Sequence, residues 1–219
     1  MFNYPVPMSL AVPSALLSLL FVAEAWRRAG WLQASWADHL RWATATAVVF
    51  AAHQMAIRLP PDIELHYLGG AALALMLGYP RALVSMSLVL AADALIVGQA
   101  ESLGIRLLLA GVLPVMLMAV LSNLARRHLP RNPFVFLLGC GFFGLFFCYA
   151  LQVAITLLVS QALGPPRVGG IGDILAFGLL LASGEAVLEG MILTVLVAYL
   201  PDSVRMFDDA HYLPGPWSR

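Results

Sequence analysis

Two histidines, His53 and His66, flank a short polar turn running from Arg58 to Glu64 in the stretch FAAHQMAIRLPPDIELHYLGGAALALMLGY, residues 50–79. Neutral imidazole is the commonest protein ligand for transition-metal ions, and ionisable groups at membrane depth carry a cost that points to function. Two imidazoles converging near one membrane surface would form part of a metal site. The competing reading is that each merely hydrogen-bonds a neighbouring helix or a headgroup. The spacing places His53 inside the end of one apolar span, ~7.5 Å deeper than Arg58 along a helix. His66 opens the next span, where the positive end of the helix dipole disfavours imidazolium and keeps the ring able to ligate. Gly69 and Gly70 follow and let another backbone approach closely. Two histidines do not complete a site; further donors would be Met55, Asp93, the amine of Met1 or a backbone nitrogen.

Other polar groups fall inside apolar runs. Glu185 and Glu189 are four apart, hence on one helical face, between Gly184 and Gly190; Asp93 and Gln152 are also within spans. Such groups face a bundle interior rather than lipid. We take them as an interhelical hydrogen-bond network that fixes packing, with a polar ion path as the alternative. Gly139-Cys-Gly141-Phe-Phe-Gly144 matches G-x-G-x-x-G, but it follows no strand and has no acid ~20 residues on, so it is a packing run. The phenylalanines at 142, 143, 146 and 147 are packing or lipid contacts. His39, His128 and His211 lie in loops or the tail, away from the first pair. There is no G-x-S-x-G, H-E-x-x-H or C-x-x-C, so no enzyme motif supports catalysis by the glutamates.

These residues need a scaffold, and the composition supplies one. Of 219 residues, 61% are hydrophobic and only 11% charged, against ~25% charged in a soluble domain; mean hydropathy is +0.87. This is the composition of a polytopic membrane protein. All twelve basic residues are arginine, balanced by twelve acids, so no basic surface suggests nucleic acid. Without lysine no Walker-type phosphate loop exists, and the chain binds no nucleotide through one; any ATP energy must come from a partner. Cys140 and Cys148 are eight residues apart in one apolar segment, ~12 Å on a helix, too far for a disulfide.

Apolar runs sized against a ~30 Å hydrocarbon core predict an all-α bundle of about seven transmembrane segments in one domain: 8–26, 40–58, 66–79, 82–98, 104–123, 133–163 and 173–200. The first run lacks a positive leader and contains Pro13, so we expect it to be retained rather than cleaved as a signal peptide. The third is short and runs straight into the fourth. The sixth is long and must tilt, protrude or break near Gly139, Gly141 and Gly144. Arg27, Arg28, Arg41, Arg81, Arg126, Arg127, Arg131, Arg205 and Arg219 fall on one side of this layout, and only Arg58, Arg106 and Arg167 on the other. By the positive-inside rule the N-terminus is outside and the C-terminus inside, in a bacterial cell membrane. Trp26, Trp31, Trp36 and Trp42 mark an interfacial belt at the inner side. The loop at 164–172 is external, and the tail from Pro201 lies along the cytoplasmic surface.

The stretch at 50–80 resembles FAAQM…HLLGG…LGP of the CbiM/NikM type, the metal-capturing membrane subunits of energy-coupling-factor transporters for cobalt and nickel. The similarity continues through NPFVFLLGCGFFG and GEAVLEGMILTVLVAYLPD into FDDAHYL, and so covers most of the chain. The resemblance implies about seven helices and a divalent metal ion, cobalt, nickel or possibly copper, captured as substrate near the outer face. It implies that His66 is a ligand together with the amine of Met1. It implies partners too: a transmembrane coupling subunit and cytoplasmic ATPase subunits. The chain departs from the family at Met1-Phe2-Asn3, where a second-position histidine ligand is missing. His53 stands at or one residue before a position where the family has glutamine, and we expect it to replace the lost ligand. The alternative is a membrane scaffold or assembly protein of the same fold that has lost metal capture.

Overall fold

The apolar runs become helices because a chain in hydrocarbon must satisfy every backbone N–H and C=O internally. The computed structural model describes residues 6–55, 57–59, 63–163 and 170–212. Helix α1 (Met8–Arg28) is followed by α2 (Trp36–His53), a two-stranded hairpin of β1 (Ile57–Leu59) and β2 (Ile63–Leu65), and α3 (Gly70–Leu77). Helix α4 (Tyr79–Val97) comes next. A short α5 (Leu103–Arg106) then continues through a π-helical stretch at Leu107–Val112 into α6 (Leu113–His128). A second π-helical stretch, Val135–Gly144, leads into α7 (Leu145–Leu163), followed by α8 (Ile171–Tyr199) and the single turn α9 (Asp209–Tyr212).

Among the described residues, five helical stretches are long and apolar enough to cross a membrane: Met8–Gln33, Tyr79–Val97, Ala100–His128, Val135–Ala162 and Ile171–Tyr199. They make this a multi-pass, all-α membrane protein. The other two expected spans differ from expectation. Helix α2 carries Asp38, His39 and Arg41 in its first two turns and stops at His53 rather than at 58. Helix α3 has eight residues, spanning 70–77 rather than 66–79, ~12 Å of rise, and nearly every side chain it has is buried. A helix apolar on all sides belongs inside a bundle.

So short a helix cannot satisfy its own ends; the rest of the chain does it. Tyr149 Oη accepts from Ala72 N at 3.3 Å, and Gly70 N donates to Leu68 O at 2.7 Å. At the other end Met206 N donates to Leu75 O at 3.1 Å and Arg205 N to Met76 O at 2.9 Å. The segment after α8 therefore caps α3. The tail, expected on the surface, is tucked in as far as Tyr212: Val204, Phe207 and Tyr212 are buried, with Phe207 edge-on to Phe136 at 5.2 Å.

The long sixth run does not break at its glycines. It widens into π-helix there, and the bare Gly190 of α8 sits against it: a Cβ on Gly190 would lie 2.5 Å from Gly141 O. The first π-helical stretch has a local cause, since Pro114 has no N–H to give to Ala110 O and the turn before it opens. Gly70 packs into that opening, where a Cβ would be 3.3 Å from Ala110 O.

The basic segments that arginine counting grouped on one side do meet at one end of the bundle. Arg28 donates to Tyr79 Oη at 3.1 Å, Arg81 Nε to Ala29 O at 3.1 Å, and Arg41 to Asp202 O at 3.3 Å. Arg126 pairs with Asp208 at 3.0 Å. Ser35 caps α2 with a full capping box, and its hydrogen bonds hold the Asp38 carboxyl below the usual carboxylate range.

Candidate metal centre

The turn between the two histidines is a hairpin, with Ile57 opposite Leu65, Arg58 opposite Glu64 and Leu59 opposite Ile63. Strand pairing reverses the chain within a few residues, so the two stems return to the same place. His53 is the last residue of α2 and His66 follows β2 directly. Their rings stack with centroids 4.9 Å apart and planes 22° apart. The depth expected for His53 relative to Arg58 disappears, because α2 has already ended. His66 is also not at a helix start; α3 begins four residues later, after Gly69 in the left-handed region at φ 61°. The helix dipole therefore does not set the state of His66.

Hydrogen bonds set it instead. His53 Nδ1 lies 2.9 Å from Tyr67 O, and His66 Nδ1 lies 3.3 Å from His53 O. A carbonyl only accepts, so each Nδ1 carries the proton and donates, which leaves the lone pair of each neutral ring on Nε2. A backbone carbonyl on the far nitrogen is the usual way in which a ligating histidine is oriented. His53 is buried, and its Nε2 has no hydrogen-bond partner. It lies 3.9 Å from Asp93 Oδ2.

Asp93 is not free to serve as a further donor on its own terms. It forms a buried ion pair with Arg106, and both side chains are almost fully enclosed. Met55 is exposed, with 78% of its surface accessible. Met1 lies outside the described residues. Among the described residues, no group of three or more His, Cys, Asp or Glu side chains is arranged to hold one ion. The cysteines are free buried thiols.

Behind the histidines, α8 holds the segment that carries His66. Glu185 Oε2 accepts from Leu68 N at 2.9 Å. Glu189 accepts from the hydroxyls of Tyr67 and Tyr149, the latter at 2.5 Å. Glu189 thus links α8 to α7, as the expected interhelical network would, while both glutamates also grip the non-helical residues next to His66. Sequence reasoning passed over Tyr67, Tyr149 and Arg106. The signal for Tyr67 was adjacency to His66; Tyr149 was one polar group in a run of phenylalanine and leucine. Gln152, also buried, leaves both amide atoms without a partner.

Fold and site together define a polytopic membrane protein whose buried polar groups converge on a histidine pair. Residues 4–203 match the family described as the cobalt uptake substrate-specific transmembrane region, CbiM. The match spans most of the chain, and the protein belongs to that family, whose members are membrane components of cobalt uptake. No individual curated protein matches the sequence.

Proposed function

We propose that this chain is the substrate-capturing membrane component of an energy-coupling-factor transporter, and that His53 and His66 ligate its divalent metal ion. The observation that carries the reading is the stacked pair with both Nδ1 atoms committed to backbone carbonyls. Nitrogen ligands of this kind suit cobalt, nickel or copper, with nickel(II) and copper(II) accepting near-planar sets. The amine of Met1 completes the set together with nitrogen or oxygen donors from the same neighbourhood. His53 takes the place of the second-position histidine that this chain lacks. The N-terminus and the histidines face outside and the arginine-rich end faces the cytoplasm, where a coupling subunit and ATPase subunits dock. The whole chain acts as one domain.

A second reading, a scaffold of the same fold without capture, is favoured by the want of a third side-chain ligand among the described residues. Elemental analysis of protein purified without chelator separates the two. Capture gives near-stoichiometric nickel, cobalt or copper, lost in His66→Ala and weakened at least tenfold in His53→Ala. Metal-free wild-type protein at micromolar free ion would leave only the scaffold.

A further inference from the structure

Away from the histidines, at the arginine-rich end, the loop after α1, the start of α4 and the turn after α8 enclose a cavity of about 420 Å³. Four guanidiniums line it, from Arg28, Arg41, Arg81 and Arg205, against two carboxylates, Asp38 and Asp202. Arg28 is engaged by Glu24 at 2.5 Å and Arg41 by Asp38 at 3.4 Å. Among the described residues neither Arg81 nor Arg205 is in direct ion-pair contact with a carboxylate; Asp38 acts on Arg81 only from a longer distance. Arg81 is only 8% exposed. Its Nε donates to Ala29 O at 3.1 Å and its guanidinium lies 5.6 Å from the centre of the Trp31 ring. Arg205 is near enough for the two like charges to act on each other. With four guanidiniums against two carboxylates the cavity carries an excess of positive charge that an entering anion would offset.

We propose that this cavity binds the phosphate oxyanion of an anionic phospholipid headgroup. The guanidinium fork matches phosphate oxygens in a bidentate way that ammonium does not, and this chain has no lysine at all. The depth is right for a headgroup: Trp31 packs against Trp26 at 5.3 Å and Trp42 at 4.9 Å, beside the cavity. Tryptophan concentrates at the headgroup level, and basic pockets between spanning helices on the cytoplasmic side take acidic lipids. The headgroup would tie together three segments distant in sequence, and it would offset the excess of four guanidiniums over the two carboxylates that line the cavity.

The test uses the full chain in nanodiscs of phosphatidylcholine with and without phosphatidylglycerol, read by thermal stability and by native mass spectrometry of retained lipid. Phosphatidylglycerol should be retained and should raise the unfolding temperature. Arg205→Gln, at an exposed side chain whose loss spares the core, should weaken that lipid roughly fivefold, about 1 kcal/mol. Arg81→Gln should weaken it further. Equal retention of the two lipids, or full selectivity in both variants, overturns the proposal. Inorganic phosphate is the control for source: Arg205-dependent stabilisation by millimolar phosphate in phosphatidylcholine alone, without any lipid effect, refutes a headgroup site. A variant that keeps lipid selectivity but loses assembly with an ATPase-bearing partner shows a protein dock instead, and also overturns it.

Discussion

Replacing Glu189 by glutamine tests whether α8 holds the histidine-bearing segment. The wild-type carboxyl accepts from two phenols, Tyr67 and Tyr149, in a place where Glu189 is 2% and Tyr149 0% exposed. Glutamine has one acceptor oxygen; its other end is a pair of donors turned toward a hydroxyl. Tyr149 already accepts from Ala72 N, so no simple rotation restores both bonds. Leaving one buried polar group unsatisfied costs about 1–3 kcal/mol, a shift of roughly 5- to 150-fold in any equilibrium that releases Tyr67. Hydrogen exchange at the amides of Tyr67 to Gly70 reads that release directly, with no metal present. Protection should fall by that factor in Glu189→Gln and in Tyr67→Phe. The double variant should fall short of additivity by at least ~0.5 kcal/mol, because both changes break the same bond. Unchanged protection in Glu189→Gln, or strict additivity, would show that the α8 carboxylate does not anchor this segment.

Two further changes probe the bundle. Asp93→Asn leaves Arg106 as an uncompensated buried cation and should cost about 3–5 kcal/mol in thermal unfolding, partly recovered by adding Arg106→Gln; a cost under ~1 kcal/mol would mean the pair is hydrated. Gly190→Ala puts a methyl 2.5 Å from Gly141 O and should cost about 1–3 kcal/mol. Gly184→Ala, with nothing within 4 Å, is its control and should be neutral or mildly stabilising; similar losses in both would refute the close helix contact.

The helices were legible because hydrocarbon leaves the backbone little choice, so long apolar runs such as 173–200 needed only a length argument. Arginine placement also grouped the right loops, since Arg28, Arg41, Arg81, Arg126 and Arg205 all meet at one end. The errors came where tertiary contacts set the local structure. The hairpin register and the left-handed Gly69 stop α2 at His53 and delay α3 to Gly70, and hydropathy alone reads neither. His53 and His66 were singled out from residue type and position, but their tautomers depend on two carbonyls, Tyr67 O and His53 O, that only the fold brings close. The glutamate pair was taken as an interhelical network; Glu189 does bond across to Tyr149 of α7, but its other bond and that of Glu185 go to Tyr67 and Leu68, in the segment before α3. Its grip on Tyr67 and Leu68 was not visible, because those partners lie more than a hundred residues away in sequence.

Helix α3 is bolted down twice by one stretch of chain. Glu185 and Glu189 grip the residues just before it, and Arg205 and Met206 bond to carbonyls of its last turn. This rod, ~12 Å long, therefore has α8 holding the residues that lead into it and the segment beyond α8 holding its last turn. A displacement of Tyr67 or Leu68 should be sought at Leu75 and Met76, beside the arginine-rich rim.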